Sequence, residues 1–296
     1  MWGLSFLFIE IALRGFGPVW IVVGRTGVGA LVLYAALRMR NGRLPRSARI
    51  WGHLLVLGVI TNAIPWTGVA WAQQWLPSGL VALLMAAVPT STLLVSVAVR
   101  LERFTRARIA GLALALSGVA LTVAADPRDP GRLAAIAVVI AATIMYALGA
   151  VYANQRVSGI SSPLTIATGQ VLTAFIVTVP AAFLIDPLPD PSEITLSVAG
   201  SVFALGALGT GAAFLIFYTL IERVGATNTT LVTYLIPLVA VIAGALILGE
   251  RIGLPAITGG LLIIAGVWLA QKGTRARLSQ PVGEPPSGNG RGRGWE

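Results

Sequence analysis

The sequence predicts an all-α integral membrane protein with ten transmembrane helices, arranged as two inverted five-helix repeats. Three observations support this prediction. Hydrophobic residues make up 56% of the 296 residues and charged residues only 11%, which is far from the composition of a soluble domain. Apolar runs long enough to span a bilayer, about 20 residues, recur along the chain. A pattern of proline, glutamate and glycine also occurs twice at constant spacing.

The repeated pattern begins at Pro89 in its first copy and at Pro237 in its second. The first copy reads AAVPTSTLLVSVAVRLERFTRARIAGLALALSGVALTV, and the second reads LIPLVAVIAGALILGERIGLPAITGGLLIIAGVWLA. Equivalent positions are 148 residues apart without a gap, which random matching in apolar sequence rarely produces. The matched residues are Pro89 with Pro237, Glu102 with Glu250, Arg103 with Arg251, Gly111 with Gly259, and Gly118 with Gly266.

The repeat divides the chain into three parts. Residues 1–124 form the first five-helix repeat, residues 133–272 form the second, and residues 273–296 form a cytoplasmic tail. We expect the tail to be disordered because it is rich in Pro, Gly and Ser. Upstream of the repeated pattern the spacing changes slightly, since Pro18 and Arg25 precede Pro163 and Gln170 by 145 residues.

Nine apolar runs are long enough to cross a bilayer. They lie near 18–38, 51–75, 78–99, 106–124, 133–153, 163–185, 194–221, 227–248 and 253–271. Residues 1–14 precede them and would rise only about 21 Å as a helix. Either this first helix is short and the bilayer adapts to it, or the helix starts upstream of Met1. We favour the upstream start.

Basic residues predict the orientation of the helices. Sixteen of them flank the apolar runs on one side of the membrane and four on the other, counting loops and tail. By the positive-inside rule the richer side and both termini are cytoplasmic, in a multi-pass protein of the cell membrane. Because each repeat has five helices, the second enters the membrane in the opposite sense. The Glu102 turn is therefore predicted inside and the Glu250 turn outside.

Composition excludes several classes of function. The chain has no cysteine and one histidine, His53, so neither a disulfide framework nor a cysteine or histidine metal site can form. The pI is near 11.3, but most of the basic residues lie beside apolar runs and are topology signals, so we expect no nucleic-acid partner. We find no P-loop, HExxH or GxSxG motif and no aspartate inside an apolar run. We therefore expect neither an enzyme nor a cofactor.

The chain resembles the EamA family of the drug/metabolite transporter superfamily. The resemblance rests on the Trp2-Gly3-x-Ser5-Phe6 opening, the Pro237, LGER and paired-glycine pattern, and its degenerate twin at 89–118. It implies a transporter of two inverted five-helix repeats, commonly an exporter of amino acids or other small metabolites. Family members usually have several apolar residues before the Trp-Gly opening, which this chain lacks. The first copy also reads Arg100-Leu-Glu where a glycine often precedes the glutamate.

Polar residues inside the apolar runs are the first candidates for a substrate path, because unpaired polar groups in hydrocarbon are costly. Asn62, Trp66 and Gln73 share one helical face at i, i+4 and i+11. The second repeat offers Thr210, Phe214 and Tyr218 at i, i+4 and i+8. These side chains either line a shared cavity or bond neighbouring helices and the lipid interface.

Arg25 lies about 10 Å inside its apolar run by helical rise. An arginine at the centre of a span costs about 2.5 to 3.5 kcal/mol on insertion scales, so something should offset that cost. Arg25 could snorkel to the outer surface, pair with Glu10, or bind a substrate carboxylate. Glu10 either pairs with Arg14 at i+4 or is the candidate proton carrier, since it is the one acidic residue well inside a span.

The second repeat contributes further candidates. Gln170 occupies the position that corresponds to Arg25, which predicts a cavity with one charged and one neutral wall. An aromatic and amide lining suits small zwitterionic or weakly polar solutes. Pro89 and Pro237 are either moving hinges or fixed kinks. The other buried hydrogen-bonding candidates are Tyr146, Thr233 and Tyr234.

These features favour a secondary transporter that exports amino acids or similar small organic metabolites by alternating access. The alternative is a lipid or drug flippase or efflux protein of the same architecture, with a cavity open sideways to the bilayer. An intramembrane enzyme and a non-transporting scaffold are the remaining classes. The expected partners are a small-molecule substrate and the lipid bilayer, with the chain acting as a monomer or homodimer.

Overall fold

The computed structural model describes residues 1–124, 129–157, 159–224, 235–251 and 253–278, and within them the chain is helical without strands. Seven helices are long and apolar enough to cross a membrane, and three shorter apolar helices lie at Trp2–Ala12, Leu235–Ile247 and Leu254–Ala270. The protein is therefore a multi-span membrane protein. We number the helices α1 (Trp2–Ala12), α2 (Pro18–Met39), α3 (48–72), α4 (78–98), α5 (Arg106–Ala124), α6 (Pro130–Arg156), α7 (Pro163–Ile185), α8 (196–224), α9 (Leu235–Ile247) and α10 (Leu254–Leu278).

Proline and capping side chains account for several helix starts. α2, α6 and α7 each begin with a proline, whose missing N–H would have had no partner in the first turn anyway. Asp129 accepts hydrogen bonds from two backbone N–H groups at the start of α6. Ser162 and Thr195 cap α7 and α8 in the same way. Such caps satisfy donors that a helix cannot satisfy internally.

Three helices are interrupted within the apolar runs that the sequence marks as single spans. α3 consists of Ala48–Leu57, a π-helical stretch Gly58–Ala63 and Ile64–Ala72. α8 has the same design, with Leu196–Gly206, a π-helical stretch Ala207–Ala212 and Ala213–Val224. α4 is broken between Ser78–Met85 and Val88–Ala98, next to Pro89. Pro89 has no N–H to continue the hydrogen-bond ladder, which explains the break.

Equivalent helices of the two sequence repeats pack against each other in antiparallel directions. Gly111 of α5 lies against Gly266 of α10, and Gly118 lies against Gly259. The missing side chains let the two backbones approach closely. α2 and α7 are also antiparallel, since Trp20 contacts Phe183 and Gly27 faces Phe175.

The first helix of each repeat packs against the other repeat. α1 contacts α8 and α9, while α6, its counterpart in the second repeat, contacts α3 and α4. The largest apolar core joins α1, α3, α4 and α6 around Ile9, Val69, Leu80 and Val139. This exchange brings residues of both repeats to one central space.

The helix boundaries differ from the sequence prediction at both ends of the chain. α1 comprises the 11 residues Trp2–Ala12, within the predicted segment 1–14. α10 continues to Leu278, six residues into the stretch that we expected to be a disordered tail. Residues 279–296 and residues 227–234, the start of the predicted run 227–248, lie outside the described residues.

Candidate functional site

A cavity of about 540 Å³ lies between the two sequence repeats, and all the helices except α5 contribute described residues to its wall. Its volume is within the range of small-molecule sites. Most of the wall is apolar and aromatic, with Trp2, Phe6, Phe214 and Phe217 from α1 and α8. The polar part of the wall is small, and Arg25 is the charged residue among its described members.

Arg25 is buried, with 7% of its surface exposed, and it is held by residues from two other helices. Its guanidinium carbon lies 3.7 Å from the centroid of the Trp66 ring, in a cation–π arrangement. Its Nε donates a hydrogen bond to the hydroxyl of Thr210, at 3.1 Å. The π-helical stretch of α8 positions that hydroxyl, which itself donates to the carbonyl of Leu205 at 3.2 Å.

The terminal nitrogens of Arg25 have no hydrogen-bond acceptor among the described residues, and no described carboxylate lies within 4.0 Å of them. The predicted pairing with Glu10 is therefore absent from this conformation. Glu10 instead accepts a hydrogen bond from the side-chain amide of Gln73 at 3.3 Å. The burial of Arg25 also argues against snorkelling, because a snorkelling arginine keeps its charged end in water.

Other predicted site residues are distributed in two groups. Asn62, Trp66, Tyr146 and Gln170 line the cavity together with Arg25. The indole N–H of Trp66 donates to the Tyr146 hydroxyl, which links α3 to α6. The buried amide oxygen of Asn62 accepts from Thr61, its neighbour in the π-helical stretch, at 2.6 Å.

The second group lies away from the cavity wall. Gln73 donates to the backbone carbonyl of Phe6 at 2.9 Å and so bridges α3 and α1. Thr210 accepts a hydrogen bond from Arg25 but does not line the cavity. Tyr218 lies on α8, but its side chain is outside the described part of the structure, as are Thr233 and Tyr234.

Both candidate hinge prolines line the cavity. Pro89 follows the break in α4, and Pro237 lies in the first turn of α9. Sequence reasoning missed three further lining residues, Ser5, Thr61 and Thr92, although hydroxyls inside apolar runs were a usable signal. The Ser5 hydroxyl is buried without a hydrogen-bond partner in the described residues.

The two glutamates of the repeated pattern stabilise turns. Glu250 accepts hydrogen bonds from the backbone N–H groups of Ser78 and Gly79, at 2.8 and 3.2 Å. It thereby caps α4 from the turn between α9 and α10. Glu102 forms an ion pair with Arg108 at 2.5 Å. Neither glutamate lines the cavity.

Comparison with known proteins assigns the family. The model of the EamA-like transporter family matches residues 1–124 and 133–271. The chain belongs to the EamA-like transporter family. This membership identifies a transporter family of the drug/metabolite transporter superfamily, rather than an enzyme family.

Named relatives of this EamA protein align along almost their whole length. A probable terminal-alkyne amino-acid exporter of Streptantibioticus cattleyicolor is 27% identical, over 93% of this chain and 91% of that protein. A probable amino-acid metabolite efflux pump of Escherichia coli is 24% identical, over 96% and 95%. An uncharacterized transporter of Archaeoglobus fulgidus is 23% identical, over 90% and 94%. A protein of known crystal structure superposes with a TM-score of 0.62 at 19% identity, over 92% of this chain and 96% of the other, so it shares the fold.

Proposed function

We propose that this EamA protein is a secondary transporter that exports amino acids or similar small organic metabolites by alternating access. Two of the relatives are named as a probable amino-acid exporter and a probable amino-acid metabolite efflux pump. The observation on which the proposal depends is the central cavity with one buried arginine whose terminal nitrogens face no described carboxylate.

The proposal includes ten transmembrane helices in two inverted repeats. Antiparallel packing of α5 on α10 and of α2 on α7 supports this arrangement, because equivalent helices of inverted repeats run in opposite directions. The exchange of α1 and α6 between the repeats supports it as well. In many secondary transporters such repeats enclose a site near the bilayer midplane and open it alternately to either side.

The conformation fits a state in which the cavity is open to the cytoplasm. On α6 the lining reaches Ala153, three residues before the helix ends at its arginine-flanked side. At the opposite end, Ala12, Leu76 and Leu80 belong to a packed apolar core. By the positive-inside rule, the arginine-rich side is cytoplasmic.

Arg25 is the residue that we propose binds the carboxylate of the solute. Trp66 and Thr210 hold the guanidinium in place, so binding requires little reordering of this side chain. Two terminal nitrogens of an arginine can donate parallel hydrogen bonds to one carboxylate. Pro89 and Pro237 are proposed hinges, and Glu10 is the proposed proton carrier.

Transport in proteoliposomes tests the proposal. Uptake and efflux of a labelled metabolite panel, with and without a pH gradient, should identify transported solutes that carry a carboxylate. Arg25→Ala should lower the apparent affinity for them by roughly 10- to 150-fold, which corresponds to about 1.5 to 3 kcal/mol for hydrogen bonds to a charged group. Arg38→Ala is the matched control because Arg38 is exposed in the last turn of the same helix, α2. Unchanged transport by a folded Arg25→Ala protein rules out the proposed role.

A further inference from the structure

The described wall of the cavity has a positively charged residue but no negatively charged one. This difference determines which class of solute fits it. Arg25 is the one described residue in its wall with a positive charge, and no described lining residue is an aspartate or a glutamate. Glu10, the acidic residue of α1, is outside the wall and bonded to Gln73.

Two neutral polar residues of the cavity wall, Tyr146 and Gln170, also favour an anionic solute. Tyr146 accepts from Trp66, and its own hydroxyl proton has no acceptor among the described residues. The side-chain amide of Gln170 also has no described hydrogen-bond partner, so it is available to a solute. A carboxylate could accept hydrogen bonds from these groups and from Arg25. The ammonium group of a zwitterion would find only neutral acceptors here, although removing a cation from water without an anionic partner is costly.

The rest of the wall matches an apolar tail. Trp2, Phe6, Met85, Phe214 and Phe217 present aromatic and thioether surface to the space beside Arg25. Aromatic rings and methionine adapt to ring-shaped and branched apolar groups. The cavity volume of about 540 Å³ accommodates a solute of this kind.

We infer that the cavity selects apolar monocarboxylate anions, such as N-acylated amino acids or 2-oxo acids with an aromatic or branched side chain, over the corresponding zwitterionic amino acids. The inference rests on the proposed function and makes it narrower. It differs from the expectation from sequence that zwitterions suit this lining, because no described aspartate or glutamate in the wall can pair with the ammonium group. The amine of an amino acid must then be neutralised chemically, by acylation or oxidation, before the solute binds tightly.

Three solutes with the same phenyl ring test this inference on the full-length protein. N-acetyl-L-phenylalanine is an anion at pH 7, L-phenylalanine is a zwitterion, and phenylethylamine is a cation. Binding is measured by quenching of tryptophan fluorescence, since Trp2 and Trp66 line the cavity. We expect the anion to bind at least tenfold more tightly than the zwitterion and the cation not to bind. Arg25→Gln should remove the preference, and Arg25→Lys should retain it in weaker form.

The outcomes separate this inference from the proposed function. Equal or tighter binding of the zwitterion, with transport of L-phenylalanine in proteoliposomes, overturns the inference and leaves the exporter intact. Absence of binding and transport for all three solutes overturns the inference and counts against the cavity as a path for carboxylates. If Arg25→Gln does not fold, the comparison of the three solutes on the unaltered protein decides the matter.

Discussion

The contact between α5 and α10 yields a stability prediction that the structure makes quantitative. A Cβ atom added at Gly118 would lie 2.9 Å from the backbone nitrogen of Ile263 and would collide with the carbonyl of Gly259. A Cβ added at Gly259 would lie 2.6 Å from the carbonyl of Gly118. Backbone atoms cannot rotate away as side chains do, so the two helices must separate. We expect each alanine substitution to lower the free energy of unfolding by about 1 to 3 kcal/mol.

The double substitution distinguishes this explanation from a general effect of alanine. Gly118→Ala and Gly259→Ala require the same separation of the same two helices. Their combined cost should therefore be smaller than the sum of the single costs, with a coupling of about 0.5 to 3 kcal/mol. Gly200→Ala on α8 is the control, because a Cβ there meets no atom within 4 Å.

Equilibrium unfolding in mixed micelles measures these free energies. Gly200→Ala should leave the free energy of unfolding unchanged or raise it by up to about 1 kcal/mol, because alanine favours a helix interior over glycine. If Gly118→Ala lowers that free energy no more than Gly200→Ala does, the close approach of α5 and α10 is wrong. Full additivity of Gly118→Ala and Gly259→Ala would contradict their direct contact.

Two further substitutions test the glutamates. Glu250→Ala removes the carboxylate that accepts hydrogen bonds from the N–H groups of Ser78 and Gly79. We expect it to lower the free energy of unfolding by about 0.5 to 2 kcal/mol. An unchanged unfolding midpoint would show that this cap does not stabilise the protein. Glu10→Gln keeps a side chain that can bond Gln73 but cannot carry a proton. Glu10→Gln should abolish the stimulation of efflux by a pH gradient, while solute exchange without a gradient should persist. An undiminished response to the gradient would exclude Glu10 as the proton carrier.

The large-scale organisation followed from sequence patterns because membrane insertion imposes strong rules. Runs of apolar residues predicted α2 to α7 to within a few residues, since backbone groups in lipid must bond within their own helix. The glycines that the repeated pattern singled out lie where α5 meets α10. Family membership was also recognisable from the Trp2-Gly3 opening and the LGER turn.

The details of the cavity depend on contacts between the repeats, which local patterns do not encode. Arg25 stood out in the sequence as a charge in an apolar run, but three partners were open. Its observed neighbours are Trp66 and Thr210, which belong to two other helices. They lie 41 and 185 residues farther along the sequence. The π-helical stretches that shape α3 and α8 lie inside runs that their apolar composition predicted as single spans. Gln73 shares a helical face with Trp66 by spacing, yet it bonds α1 instead.

Accessibility of two engineered cysteines tests the inverted arrangement most directly, because the natural chain has no cysteine. Arg103→Cys and Arg251→Cys place one thiol beside each glutamate turn, at positions that are both exposed. With a membrane-impermeant maleimide on intact cells, we predict labelling of Arg251→Cys at once and of Arg103→Cys only after permeabilisation. Labelling of both thiols from the same side would contradict the two opposed repeats on which alternating access depends.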